Sequence, residues 1–287
     1  MTVKKNRQLD IAKLKNLPVM PEENQRILMA INDEEISLEE LLDILMTSPI
    51  LMTRLIGLAN SAYFGYSGKV TDLRVAVVNV LGLKLVKSLS LSILVGLTFN
   101  SASCKRFDSQ RFWRDALLTA ICAQTLVKST KFKSLDANTA YTSGMVLHIG
   151  MLAVVFLYPE EVAELFELAE QEALGLDQLM MGKAIDQYQL GGYLLERWKL
   201  PALYSDVVEE YRLDKVDYAD ADLHALLKVA SLLRRVVRDD QQSLSAEENA
   251  ILNLLPITEG QFFLIKEKLA EKMDDLNVLV QTMSGGK

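Results

Sequence analysis

Ser37-x-x-Glu40 constrains this chain more than any other short stretch, because it specifies a helix start from both ends. The serine hydroxyl can accept from the amide three residues on, while the glutamate reaches back to the serine amide. Leu38, Leu41, Leu42 and Leu45 then follow at helical spacing. The same signals recur along the chain. Ser48-Pro49 sets a capping residue before a proline at the first helical position and leads into Ile50, Leu51, Leu55 and Leu58. Gly65 and Gly68 mark a loop, so that helix is expected to stop near Asn60. Thr71 or Asp72 can cap 73–81, which Gly82 ends before a further helix over 83–99. Helices are also predicted over 109–128, 136–147, 159–173, 187–198, 201–211, 220–238, 245–254 and 258–281, the stretch from Ser245 opening with a second capping box to Glu248. Val75 to Val80 is β-branched but lies inside a helical period between a cap and a glycine. No repeat of fixed period is present. The fold class is all-α.

Composition supports a large core: 50% of the 287 residues are hydrophobic and 24% charged, with only 6 prolines and 14 glycines to form linkers. A net charge of −7 repels a phosphate backbone, so no nucleic-acid partner is expected. Cys104 and Cys122 are too few for a disulfide framework and suit a reducing, cytoplasmic setting. The N-terminus carries Lys4, Lys5, Arg7, Lys13 and Lys15 and no apolar run of signal-peptide type; a solvated basic arm is expected there. Two regions are strongly apolar. The first, 73–99, is interrupted by Arg74, Lys84 and Lys87, and 145–158 falls short of the roughly 20 residues a bilayer span needs. No membrane span is expected.

Several kinds of chemistry lack their residues. There is no phosphate-cradling Gly-Lys loop, nucleophile elbow or two-histidine zinc helix. His148 and His224 are the only histidines, which excludes any three-histidine site. His148 lies among apolar neighbours and is expected to be buried, its ring nitrogens satisfied by a carbonyl and a polar side chain. His224 sits in a carboxylate-rich helix start and is expected at the surface. Asp217, Asp220 and Asp222 lack the spacing of a calcium loop and suit helix capping. Glu160, Glu161, Glu164, Glu167 and Glu170 line one face of a helix opposite Val162, Leu165 and Leu168, as a solvated face does. Met180 and Met181, beside Gly182, are expected in a turn.

A series of stretches in fixed order carries a family resemblance. They are Leu17-Pro18-Val19-Met20-Pro21, Ser37 to Leu42, Ser48-Pro49 and Leu58-Ala59-Asn60-Ser61-Ala62-Tyr63-Phe64-Gly65. Val70-Thr71-Asp72-Leu73-Arg74-Val75-Ala76 follows, then Phe112-Trp113-Arg114, Ser143-Gly144 to Gly150, and Gly191 to Pro201. Over 17–238 this order resembles the HDOD family, the HD-related output domain. The resemblance implies a multi-helix HD-like bundle in two packed helical subdomains, over about 17–100 and 108–238. It leaves a basic arm at 1–16 and a helical extension at 239–287. The loop Asn60, Ser61, Tyr63, Phe64, Gly65 is its most recognisable segment, expected to close the preceding helix and to act as a hinge between the halves.

HD-type phosphohydrolases hold divalent metals with a histidine, a His-Asp doublet and a later aspartate, and the metal lowers the pKa of an attacking water. Carried over by position, the resemblance puts Asp115 on the first histidine and Leu147-His148 on the doublet. Gln187 and Tyr211-Arg212 fall on further histidines, and Ser231 on the final aspartate. These residues, with Trp113, line the implied degenerate cleft. No catalytic residue, cofactor or metal ligand is therefore assigned. The resemblance implies a signalling or regulatory module that docks a protein partner or a small effector, and is not an enzyme. Two alternatives are kept: a metal-dependent phosphohydrolase of a nucleotide or cyclic dinucleotide, and a nucleotide sensor without turnover, with Trp113 and Tyr211 stacking on a base.

Overall fold

A computed structural model describes residues 11–33, 35–99, 104–130, 135–172, 176–213 and 221–284, and all statements below concern these. Among them every regular element is helical. A short α1 (Ile11–Leu14) precedes α2 (Glu22–Asn32), α3 (Leu38–Met46) and α4 (Pro49–Ala59). A single 3-10 turn, Ala62–Phe64, leads to α5 (Leu73–Val75), whose course continues as a π-helical segment, Ala76–Leu81, before α6 (Leu83–Thr98). The later helices are α7 (Ser109–Ser129), α8 (Ala137–Val146), α9 (Gly150–Leu157), α10 (Pro159–Glu172), α11 (Leu176–Gly182), α12 (Gln187–Arg197) and α13 (Ala202–Glu209). The chain ends with α14 (Ala221–Arg238), α15 (Ala246–Leu252), α16 (Glu259–Ala270) and α17 (Met273–Ser284).

The starts are where the side chains put them. Both serine boxes form, Ser37 with Glu40 and Ser245 with Glu248. Asp72, Asp108, Asp136 and Asp186 each accept from amides of the first turn of the helix they precede. Ser48 is the exception: it precedes Pro49 at the helix start but makes no side-chain cap. The β-branched run is helical but wound as a π-segment, Gly82 N donating to Val77 O at 2.8 Å.

α7 is the spine. It packs along α8, α14 and α17, while α2 to α6 form the early part of the bundle and meet the later part where α6 crosses α8. Behind α8, α9 crosses α12 and α12 runs against α13. At the α9–α12 crossing a Cβ on Gly150 would stand 1.7 Å from Gln187 O and 2.6 Å from Gly191 N. Only a bare Cα permits that approach.

Several expectations change. The arm is not free along its whole length: Leu14 is buried, Lys13 lies 3.8 Å over the Tyr158 ring, and Arg197 donates to Leu14 O at 3.2 Å. Residues 1–10 lie outside the described ones. Met180 and Met181 belong to α11, with Met180 fully buried, because its apolar side chain has a core to enter. The expected C-terminal helix is two helices, since Phe262, Ile265 and Leu269 face α14 while Leu276, Leu279 and Val280 turn toward α7 and α4. By length and composition the continuous run Ala137–Leu157 is long and apolar enough to cross a membrane, unlike the shorter stretch read from the sequence. Here 78% of its most apolar 18-residue window is buried inside the fold, which accounts for its composition without a bilayer. The two cysteines are unbridged and buried, and burial pushes the Cys122 thiol far up.

Candidate functional site

The implied cleft lies where α7, the α8–α9 turn, α12 and α14 converge. α7 carries Asp115 nearly two helical turns inside its start, and its carboxylate meets α14. Arg234 Nη1 stands 3.0 Å from Asp115 Oδ2 and Arg238 Nη1 3.7 Å from the same oxygen. Both partners of the closer pair are largely shielded, at 17% and 18% side-chain exposure, so the pairing is not a solvent-screened surface contact.

A second set surrounds Asp177 on α11. Gln187 Nε2 donates to Asp177 Oδ1, and the Tyr188 hydroxyl donates to Oδ2 at 3.3 Å. Arg212 Nη2 is 3.6 Å from that carboxylate, and its guanidinium lies 5.1 Å over the Tyr188 ring. Rings link the two histidines: His148 to Tyr188 at 6.1 Å, Tyr188 to Tyr211 at 4.9 Å, Tyr211 to His224 at 6.2 Å.

His224 is buried, not on the surface as its neighbours in sequence suggested. Its Nε2 donates to Glu210 O and Tyr211 O, both at 3.1 Å, and so closes the end of α13. Carbonyls at a helix end need donors, and a histidine arriving from α14 supplies one. Asp222 lies in the first turn of α14, while Asp217 and Asp220 lie outside the described residues.

His148 does not find the partners expected of it. Its Nε2 is buried without a hydrogen-bond partner, as are Gln187 Oε1, Ser231 Oγ and Arg234 Nε, while Arg212 Nη2 has only the 3.6 Å ion pair with Asp177. Ser231 lies beside the Tyr211 phenol without closing a full hydrogen bond. Each such atom costs roughly 1–3 kcal/mol if water does not reach it. Burial, then the nearby Arg234 charge, lowers the His148 pKa to about 3, and burial also lowers that of His224. Burial raises Tyr188 and Tyr211. At neutral pH both imidazoles are uncharged and both phenols protonated.

Leu147 is fully buried and offers no donor atom. Trp113 is buried elsewhere, its ring filling the space above Gly96 of α6, where an added Cβ would meet it at 2.7 Å. It presents no face to the cleft. The structure therefore brings Asp115, His148, Gln187, Tyr211, Arg212 and Ser231 into one region and leaves Trp113 out. Sequence reasoning missed Asp177, Tyr188, Arg234, Arg238 and His224. Arg234 sits three residues after Ser231 on one helix, a spacing that shares a face. Nothing local marks Asp177.

These residues do not fit the divalent cation that HD-type enzymes use. Asp115 is taken by two guanidinium groups, whose charge repels a cation, and the doublet position offers one imidazole beside a leucine. Among the described residues no three His, Cys, Asp or Glu side chains converge to hold a metal.

The loop lies apart from this cleft. Asn60 Nδ2 donates to Ile56 O at 2.9 Å and Val70 O at 2.8 Å, while Val70 N donates to Asn60 Oδ1 at 2.9 Å. Gly65 takes φ 62°, the left-handed turn that glycine adopts without strain. Tyr63 and Phe64 meet edge to face, rings 5.1 Å apart, and pack on the core, while the Ser61 hydroxyl is buried without a partner. The loop joins α4 to α5 within the early part of the bundle and is covered by α17, so it is not a hinge between halves.

This helical architecture, with its HD-like cleft, has relatives. The HDOD domain matches residues 17–212, and the chain belongs to the HDOD domain family. An HDOD domain protein of unknown function from Geobacter sulfurreducens superposes with a TM-score of 0.73 at 20% identity, covering 93% of each chain. A protein from Shewanella amazonensis SB2B whose name proposes a phosphohydrolase gives 0.75 at 21% identity, over 95% of this chain and 97% of that one. At these identities the likeness concerns the fold alone. An uncharacterized protein of Treponema pallidum (strain Nichols) is 27% identical over 192 residues, 66% of this chain. The chain spans 36% of that curated relative's length.

Proposed function

We propose that this HDOD protein is a non-catalytic regulatory module of a signalling pathway, a helical scaffold on which a protein partner or small effector docks. One observation carries the reading: Arg234 stands 3.0 Å from Asp115, the residue that the resemblance puts on the first histidine of HD-type enzymes. A fixed guanidinium supplies positive charge there but has no open coordination position, so it cannot lower the pKa of a water as a divalent metal does. Around it, neutral His148 and protonated Tyr188 and Tyr211 provide no substitute. The name of a third structural relative, a protein from Marinobacter aquaeolei VT8, proposes signal transduction; it is 19% identical, with a TM-score of 0.77 over 97% of this chain and 62% of that one.

The test is elemental analysis of untagged protein prepared without chelator, joined to phosphomonoester and phosphodiester hydrolysis assays with added manganese, magnesium or iron. The expected result is metal far below one equivalent and no turnover. Stoichiometric metal with turnover that Asp115→Asn abolishes would overturn the proposal. Base stacking in the old cleft has little support, because Trp113 is packed on Gly96 and Tyr211 is paired with Tyr188.

A further inference from the structure

A pocket of about 450 Å³ lies away from the old cleft, at the junction of the early and later parts of the bundle. That volume falls within the range of roughly 300–1,000 Å³ typical of small-molecule sites, which favour such junctions. Its walls come from the end of α2 and the first half of α6 on one side, and from the start of α8 and the Pro201 turn into α13 on the other. Where α6 crosses α8, the buried Ser88 and Thr142 hydroxyls bond each other and tie the two sides together.

The lining is chemically mixed. Lys84 and Lys87 sit one turn apart on the same face of α6, and Asp136 is the one carboxylate among the lining residues. Lys84 Nζ lies 3.5 Å from Asp136 Oδ1 with side chains 67% and 47% exposed, a pairing weak enough to be exchanged for a stronger anion. Lys87 is aimed by a 2.6 Å bond from its Nζ to Asp33 O. Asn32 and Asn138 add side-chain amides, and Tyr204 adds an aromatic ring beside the apolar Leu91 and Pro201. Two ammonium groups suit a phosphate, an aromatic ring suits a planar base, and amides can both give and accept at a base edge.

We propose that this pocket is the effector site, and that it takes a phosphorylated nucleoside-sized anion, with the phosphate between Lys84 and Lys87 and the base against Tyr204. The proposal rests on the regulatory reading above and names the effector class it needs. A ligand touching both walls fixes the α6–α8 crossing in one packing, which is how binding there reaches the rest of the bundle.

Calorimetric titration of the full chain tests it, with nucleoside monophosphates and cyclic mononucleotides as probes and unphosphorylated nucleosides and inorganic phosphate for comparison. Saturable one-to-one binding of a phosphorylated nucleoside is expected, tighter than that of either part alone. Removing two charge-assisted contacts with Lys84→Gln/Lys87→Gln is expected to weaken it about tenfold or more, while Arg234→Met leaves it within about twofold. Both lysines lie at the pocket rim, and thermal midpoints of the variants verify that they fold. No saturable binding by any phosphorylated probe up to about 1 mM, or an affinity that the double lysine variant leaves unchanged, overturns the site. Hydrolysis is followed in the same samples. Binding with turnover upholds the pocket and sinks the non-catalytic reading; neither binding nor turnover sinks the pocket and leaves that reading standing.

Discussion

Asn60 commits its whole side-chain amide to backbone, bonding Ile56 O and Val70 O and accepting from Val70 N. At the cleft, four buried polar atoms, from His148, Gln187, Ser231 and Arg234, have no hydrogen-bond partner. The Asn60 amide is a local device, satisfied within ten residues, although the neighbouring Ser61 hydroxyl is buried without a hydrogen-bond partner. The cleft is assembled from helices distant in sequence, and polar groups remain there that packing alone does not need. The contrast teaches that the most recognisable segment of the chain serves the fold, whereas the crossing of α7, α12 and α14 keeps polar side chains at a cost in stability.

Each side of that contrast can be broken. Gly150→Ala is the largest expected effect, because the new Cβ would meet the backbone of Gln187 and Gly191 and not a side chain that can swing away. A loss of about 3 kcal/mol or more in urea unfolding is expected, and parent-like stability would show that α9 and α12 can part and that the cleft is not held rigidly. Asn60→Ala comes next, at about 2–3 kcal/mol, since it strands both backbone groups of the buried Val70. Asn60→Asp keeps the acceptor and should lose less. Equal losses in the two variants would remove the argument that the whole amide matters.

Arg234→Met is expected to cost about 1–2 kcal/mol by uncovering Asp115. The double variant Asp115→Leu/Arg234→Met should return to within about 1 kcal/mol of the parent, because an apolar pair replaces a desolvated ionic one. Failure of that recovery in a double-mutant cycle would assign Arg234 contacts beyond Asp115. In the single variant the His148 pKa should also rise, since Arg234 is one of the causes that hold it down; proton NMR titration reads this directly.

The smallest effect is a pH slope. His148 has a folded pKa of about 3, below its ordinary unfolded value of 6.5. Above pH 6.5 neither state binds the proton, and its contribution to stability is whole. As pH falls from 6.5 toward 3 the unfolded state gains a proton that the folded state refuses, so stability declines. The upper bound is about 1.4 kcal/mol per pH unit. Between pH 6.5 and 5.5, where carboxylates are still ionised, the parent should lose about 1 kcal/mol. His224 shares the same direction, so His148→Gln should make the slope shallower without abolishing it. An unchanged slope would place the titration elsewhere.

Much of the bundle was legible because its signals are short-range. Side-chain caps act across two or three residues: capping boxes precede the helix starts at Leu38 and Ala246, and single aspartates those at Leu73, Ser109 and Gln187. The C-terminal break was not legible. Phe262, Ile265, Leu269, Leu276 and Leu279 keep a helical spacing straight through residues 271–272, and a periodic pattern cannot register a turn that preserves its phase. What ends α16 is that the next helix has a different partner to pack on.

The cleft divides in the same way. Family resemblance placed Asp115, His148, Gln187, Tyr211, Arg212 and Ser231 in one region, and the helices do converge there. It could not give Arg234 its role, because a guanidinium on α14 reaches Asp115 on α7 only through the crossing of those two helices. Nor could it bury His224, whose carboxylate-rich neighbours gave a surface reading until α13 presented its terminal carbonyls. Residue order alone settled helix content and most helix starts, since each depends on neighbours within a turn. Tertiary packing alone decided which charges meet, which polar atoms stay unpaired and where the pocket opens, since those depend on distances between helices that no local pattern encodes.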